Sequence, residues 1–171
     1  MTRGSFDKKL LIVGAGQYGM VTKETAESMN CFEQIDFLDD KNPISIGKIS
    51  QYEEFVDDYK YAIVAIGNSP FRLELTKKLQ NAGYSIATVI SPLAYVSKSA
   101  VINAGSIIEA MAVVNAEATV NECCFISAGA VVNHNSILGK SCHIDCHATV
   151  RSNAVLKDCT KVEYGQVADS N

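Results

Sequence analysis

A basic excess is missing from this 171-residue sequence. Its 15 lysines and arginines face 19 aspartates and glutamates, for a net charge of −4 and a pI of about 5.3. Proteins that grip a nucleic-acid backbone carry the opposite balance, so that class is excluded. Long apolar runs are missing too, and none approaches the roughly 18 to 20 residues that cross a bilayer. The opening stretch MTRGSFDKK lacks the apolar core of a secretion signal and leads straight into a run of strand length. With 47% hydrophobic and 20% charged residues, disorder is excluded as the main state. The expectation is a cytoplasmic, soluble globular protein of one ordinary domain or two small ones. Its six cysteines (Cys31, Cys123, Cys124, Cys142, Cys146 and Cys159) are then expected as reduced thiols.

Helix-like segments are scarce after about residue 90, and so is charge. Residues 1–90 hold 22 charged residues and residues 91–171 hold 12. The boundary is placed between Val89 and Pro92. Before it, short aliphatic runs alternate with amphipathic ones. LLIVG (Leu10–Gly14), IDFLDD (Ile35–Asp40), YAIVAIG (Tyr61–Gly67) and YSIATVI (Tyr84–Ile90) read as strands. MVTKETAESMN, after Gly19, and PFRLELTKKLQNAG (Pro70–Gly83) read as helices. The second has proline near its start and glycine at its end. Tyr52–Tyr59 reads as a short acidic helix or turn. Strands separated by helical crossovers predict a small parallel α/β sheet.

The second part repeats every six residues from Tyr95. The second position of each block is Val96, Ile102, Ile108, Val114, Val120, Ile126, Val132, Leu138, Ile144, Val150, Leu156 and Val162, all aliphatic. The sixth position is small from Ala100 through Thr160, and only Gln166 breaks the series. Neither a helix period of 3.6 nor a strand period of 2 produces this. A parallel β-helix does, with three hexads per coil and about four coils. The branched residue fills the interior and the small one lets the chain turn. Cys124 and Cys142 fall at the small inward position, where cysteine behaves as a small hydrophobe. Cys142-His143-x-x-Cys146-His147 has metal-like spacing, but Cys142 should point inward and the others outward, so no metal is expected. VADSN, at the end, is read as failing the repeat.

Gly14-Ala15-Gly16-Gln17-Tyr18-Gly19 joins a strand to a helix. Such a turn lets backbone amides approach a diphosphate at a helix N-terminus. Asp39 and Asp40 follow at the distance where a dinucleotide fold holds a ribose. The domain is too short for both halves of that fold, so one mononucleotide-sized site fits better. Other readings are a vestigial loop, an NAD site, and for the aspartates a solvated strand end. Gly67 and Asn68 close the third strand on the same side. They are candidate contacts to a base or phosphate, or a simple turn.

The two parts together resemble the NeuD/PglD-type sugar acetyltransferases of bacteria, on IVGAGQYG (Ile12–Gly19), FLDDK (Phe37–Lys41), AIGNSPFR (Ala65–Arg72) and VVNHNSILGKSCHID (Val131–Asp145). The resemblance implies a Rossmann-like nucleotide-sugar domain (1–90) and a left-handed β-helix of hexapeptide repeats (91–171). It also implies a homotrimer that transfers acetyl from acetyl-CoA to a UDP-linked amino sugar or a sialic acid in surface glycan synthesis. Gly14, Gly16, Gly19, Asp39, Asp40, Gly67 and Asn68 would hold the nucleotide sugar. His134 would be the general base on an outward face lining a cleft with a neighbouring subunit, and His143 would lie near the thioester. His147 matches no motif position and reads as exposed.

Two departures stand out. The family follows the histidine with an acidic residue, and here the neighbour is Asn135. The family also carries further coils and a glycine-rich C-terminal segment, so the resemblance implies a shortened donor site. The competing expectation is a non-catalytic nucleotide-sugar-binding trimer.

Overall fold

The structure, a computed structural model, describes residues 8–170. The stretch up to Asp7, where a leader would begin, and Asn171 lie outside it. The chain divides into two compact units at Ala87 and Thr88.

The first unit is a parallel four-stranded sheet in the order β2-β1-β3-β4. The strands are β1 (Lys9–Val13), β2 (Gln34–Leu38), β3 (Tyr61–Val64) and β4 (Ser85–Ile86). Leu10, Leu11, Ile12 and Val13 are completely buried, as a central strand covered on both faces requires. Helix α1 (Gln17–Ser28) follows β1, a 3-10 segment (Ile49–Phe55) follows β2, and α2 (Ser69–Ala82) follows β3. Helix α2 buries Leu75 and Leu79. Gly83 ends it at φ 110, a left-handed cap that favours glycine. Asp39 and Asp40 lie just beyond β2, not within it. Helix α1 begins at Gln17, so the glycine motif itself forms its first turn.

The second unit consists of fourteen two-residue strands, from Val89–Ile90 to Val167–Ala168, in three parallel sheets of four, five and five strands. Val131 pairs with both Val113 and Thr149, one coil before and one after. Three hexads therefore make a coil, and the unit is a left-handed β-helix. The second and sixth positions face inward. Ile108, Val114, Val120, Ile126, Val132, Leu138, Ile144 and Val150 are fully buried, as are Ala112, Ala118, Cys124, Ala130, Cys142 and Ala148.

The β-helix is longer at both ends than the hexad count predicts. YSIATVI is not one strand. Ser85–Ile86 pairs with β3, whereas Val89–Ile90 pairs with Ile107–Ile108. The segment carries the hexad register from Val89 onward, and its first residues carry the sheet register. The start of VADSN keeps the repeat too: Val167–Ala168 pairs with Thr149–Val150, and Ala168 packs against the core as a smaller inward residue.

One regularity went unread. From the second hexad onward, the fifth position turns the corner in the left-handed region. It does so at Gly105, Met111, Glu117, Cys123, Gly129, Asn135, Ser141, His147, Asn153, Cys159 and Gly165. Only three of these are glycine. The strain at the others is offset by coil-to-coil hydrogen bonds, such as Asn135 N–H to Ala116 O at 3.0 Å and Asn153 N–H to His134 O at 3.1 Å.

Candidate functional site

In the first unit, a cleft of about 320 Å³ opens at the C-terminal end of the sheet. Its volume is at the small end of the range for ligand sites. Gly14, Gly16 and Tyr18 line one side, Asp39, Asp40 and Lys41 another, and Ile66 and Gly67 a third.

The three motif glycines have different reasons. Gly14 sits at φ 104, and a Cβ there would come within 2.7 Å of Ile66 Cγ1. A Cβ on Gly19 would fall on the Gly14 carbonyl oxygen. These two let strand, turn and helix close on one another. A Cβ on Gly16 would meet nothing within 4 Å. Gly16 is the N-cap of α1, no side chain caps the helix, and no acidic residue stands in its first turn. The orphan N–H groups of that turn are therefore available to an anion.

Asp39 is committed to the loop. Oδ2 accepts the Ala15 N–H at 2.8 Å, and Oδ1 accepts the N–H groups of Lys41 and Asn42 at 2.8 and 2.9 Å. The Ala15 N–H holds its carboxyl below the usual range, against an opposing effect of burial. Asn42 Nδ2 donates to Ala15 O at 2.7 Å, which completes the clamp. Asp40 is exposed, and its Oδ1 accepts the Ile49 N–H at 3.1 Å. Asn68 spends its side-chain oxygen capping α2, on the Phe71 N–H at 3.0 Å.

In the second unit, His134 lies at an exposed corner of its coil. Asn135, next to it at φ 57, turns its amide back onto the ring, with Nδ2 3.0 Å from His134 Nδ1. The amide serves either tautomer. With Oδ1 toward the ring it accepts Nδ1–H and leaves Nε2 as a proton acceptor. With Nδ2 toward the ring, Nε2 carries the hydrogen.

His143 was expected to face outward, yet it is buried, with 2% exposure. Its ring meets Phe125 edge-on at 5.7 Å. Ser127 Oγ is 3.3 Å and Asp145 Oδ1 3.9 Å from its Nε2. Both oxygens face the same nitrogen, so this is not a nucleophile–base–acid relay, which needs them on opposite nitrogens. The Asp145 carboxylate also accepts the Cys146 N–H at 3.0 Å and lies 3.5 Å from Lys161 Nζ. Sequence reasoning missed this group because its members sit on neighbouring coils, with Phe125, His143 and Lys161 eighteen residues apart and Ser127 and Asp145 likewise. His147 is exposed, and its ring covers Gly129, where a Cβ would come within 2.6 Å. Cys142 is buried and Cys146 partly exposed. Among the described residues no three histidine, cysteine or acidic side chains converge as a metal group.

Glu109 borders this group. Its Oε2 accepts the Ala128 N–H at 2.9 Å, and burial, followed by Asp145, pushes its carboxyl upward against that hydrogen bond. A raised pKa favours the protonated form in the folded state. The charged form is therefore penalised above the ordinary value of 4.5. Glu109→Gln keeps an acceptor for Ala128 and removes the charge. It is expected to raise Tm at pH 7 and to leave it unchanged near pH 4, as scanning calorimetry at the two pH values will show.

An α/β unit with a glycine-lined cleft, followed by a β-helix bearing an exposed histidine at a coil corner, defines a two-domain hexapeptide-repeat protein. The chain resembles proteins of the NeuD/PglD type. Residues 9–79 match the PglD N-terminal domain family. UDP-N-acetylbacillosamine N-acetyltransferase of Bacillus subtilis (strain 168) is 30% identical over 109 residues, 58% of this chain and 50% of that protein. The match thus spans half the length of that curated relative. Among solved structures, the acetyltransferase domain of PglB from Neisseria gonorrhoeae FA1090 superposes with a TM-score of 0.79 at 28% identity. That alignment covers 96% of this chain and 93% of the other. The same domain in complex with acetyl coenzyme A gives 0.77 at 28% identity, over 93% and 89% of the two chains. Perosamine N-acetyltransferase from Caulobacter crescentus, with CoA and GDP-perosamine, shares the fold, with a TM-score of 0.85 at 21% identity over 95% and 89%. No helix among the described residues is long and apolar enough to cross a membrane.

Proposed function

We propose that this chain is an acetyl-CoA-dependent N-acetyltransferase acting on a nucleotide-activated amino sugar. The observation that carries the reading is the His134–Asn135 corner, an exposed imidazole whose Nδ1 is held by a neighbouring amide. With the Asn135 amide oxygen turned to accept His134 Nδ1–H, Nε2 is unprotonated, and it takes the proton of the substrate amine as that amine attacks the thioester carbonyl carbon. The tetrahedral intermediate then collapses, the C–S bond breaks, and the imidazolium returns the proton to the departing thiolate of CoA. No cysteine is needed as a covalent intermediate. In the first unit, the α1 amides and Gly16 receive the diphosphate, Asp40 and Lys41 border it, and Asp39, Gly14 and Gly19 shape the loop. His143, steadied by Ser127 and Phe125, borders the donor site. The relatives' UDP- and GDP-sugars support the substrate class.

Self-association as a homotrimer belongs to the same reading. Val101, Ile137 and Val155, each about half exposed, stand with Thr119 between the first two in one outward column of one sheet, a largely apolar face that a second copy would cover. With both co-substrates soluble, the enzyme works in the cytoplasm. The competing reading, a nucleotide-sugar-binding trimer without catalysis, draws on Asn135 in place of a carboxylate.

Calorimetric titration with acetyl-CoA, followed by a transfer assay on UDP-4-amino sugars, tests the proposal. Micromolar donor binding with transfer upholds it. Absence of binding at millimolar donor rejects it in favour of the binding-only trimer. A carboxylate at position 135 would stabilise the imidazolium as an amide does not. Asn135→Asp is therefore expected to raise kcat by about tenfold and extend the pH–rate profile.

A further inference from the structure

Arg72 is the largest fully buried side chain among the described residues, with 0% exposure. Packing alone does not call for a cation there. An apolar side chain would fill the space without the desolvation cost of a guanidinium, so its hydrogen bonds indicate its use. Nη1 donates to Ile66 O at 2.7 Å and, more weakly, to Gly67 O at 3.4 Å. Nη2 donates to Ser69 Oγ at 3.2 Å. The carbonyls it holds belong to the segment between β3 and α2, and Ile66 and Gly67 both line the cleft.

The orientation of that segment follows from peptide geometry. The β3 ladder ends at Ala65, whose N–H donates to Val13 O at 2.8 Å. Beyond it the backbone is free to turn. No peptide in the described chain is cis, and in a trans peptide the C=O and N–H point to opposite sides. With the Ile66 carbonyl turned onto buried Arg72, the Gly67 N–H points away from it. No described residue accepts that N–H. It stands next to the N-terminal end of α2, whose dipole reinforces a donor. Gly67 also has no side chain to cover the amide, and a Cβ would crowd Tyr18 Cε2 at 3.1 Å.

We infer that Arg72 is a positioning residue for the nucleotide: it fixes the Ile66–Gly67 peptide so that the Gly67 N–H donates to an oxygen of the bound nucleotide. This rests on the reading of the cleft as the nucleotide-sugar site. The α1 amides and the Gly67 amide then grip the ligand from opposite walls, and Arg72 acts without touching it.

The test is an amide spectrum of the 15N-labelled full chain titrated with UDP and with uridine. In the wild type, UDP is expected to shift the Gly67 amide downfield together with Gly16 and Gln17. A Gly67 response as large with uridine assigns the accepting oxygen to the nucleoside, base or ribose. A response to UDP alone assigns it to the phosphates. In Arg72→Gln the Gly67 response is expected to vanish while Gly16 and Gln17 still move. UDP affinity should fall about tenfold, the size of one charge-assisted hydrogen bond. Arg72→Lys keeps one donor for Ile66 O and should recover part of the affinity. A Gly67 amide that ignores both ligands in the wild type, while Gly16 and Gln17 respond, overturns the inference without any variant needing to fold. So does Arg72→Gln with lowered Tm and unchanged UDP affinity, which is what a purely structural role produces. If no cleft amide responds to UDP, the nucleotide reading fails and takes the inference with it.

Discussion

With His134 as the proposed general base, His134→Ala is expected to lower kcat for acetyl transfer by about 10² to 10⁴-fold, the range that a positioned general base supplies. The reason is local. His134 is exposed at a coil corner and is not part of the buried column beneath it. Alanine therefore removes the imidazole with little else, and Tm should move by no more than about 2 °C. The corner itself persists, because the Asn135 N–H still bonds to Ala116 O and asparagine tolerates the left-handed region. The glycine-lined cleft proposed for the nucleotide lies in the other unit, so KM for the sugar nucleotide should hold. Steady-state kinetics with both co-substrates varied will show this split. Activity within a few-fold of wild type would remove His134 from the chemistry.

Gly19→Ala produces the largest effect in the first unit. The added methyl would lie on the carbonyl oxygen of Gly14. That oxygen belongs to a turn pinned by the Gly14 N–H on Leu38 O at 2.8 Å. Neither partner is a flexible side-chain end, so α1 must slide away from β1. The cost is on the order of 3 kcal/mol, as for overpacking against a rigid neighbour. Displacing α1 also displaces the N–H groups that face the cleft. UDP affinity should fall at least about tenfold even where the variant stays folded. Gly16→Ala is the control: its methyl enters open space, so stability should hold and only ligand binding should suffer. Chemical denaturation and calorimetric titration of both variants separate the two outcomes. Equal stability of Gly19→Ala and wild type would contradict the packing argument.

The hexads were legible because one inward aliphatic and one inward small residue recur in every block, and a solenoid core tolerates few interruptions. The glycine motif and the strand–helix alternation were legible for a related reason: both express backbone requirements that few residue types meet. The ends of the repeat were not. Ile90 and Ala168 obey the inward rule, but each sits beside residues that also suit another element or a loop. Only their pairing with strands one coil away assigns them. The left-handed corners were hidden by residues such as Met111, Glu117 and Cys123, which do not advertise a positive φ.

At the candidate site the division runs between residue type and partner. His134 and Asn135 are neighbours in sequence, and their contact followed from adjacency. Asp39 was legible as an acidic residue at ribose distance. That its two oxygens are occupied by the amides of Ala15, Lys41 and Asn42 depends on where the loops fold. His143 was expected outside and is buried among Phe125, Ser127 and Asp145, partners drawn from two successive coils. By itself the sequence determined the β-helix, its register and inward columns, the parallel α/β sheet, and the glycine turn, because all of these are periodic or local backbone constraints. The tertiary structure alone decided the clamp on the glycine loop, the buried guanidinium beneath the cleft wall and the group around His143. Each depends on hydrogen bonds between backbone segments that come together only when the chain has folded.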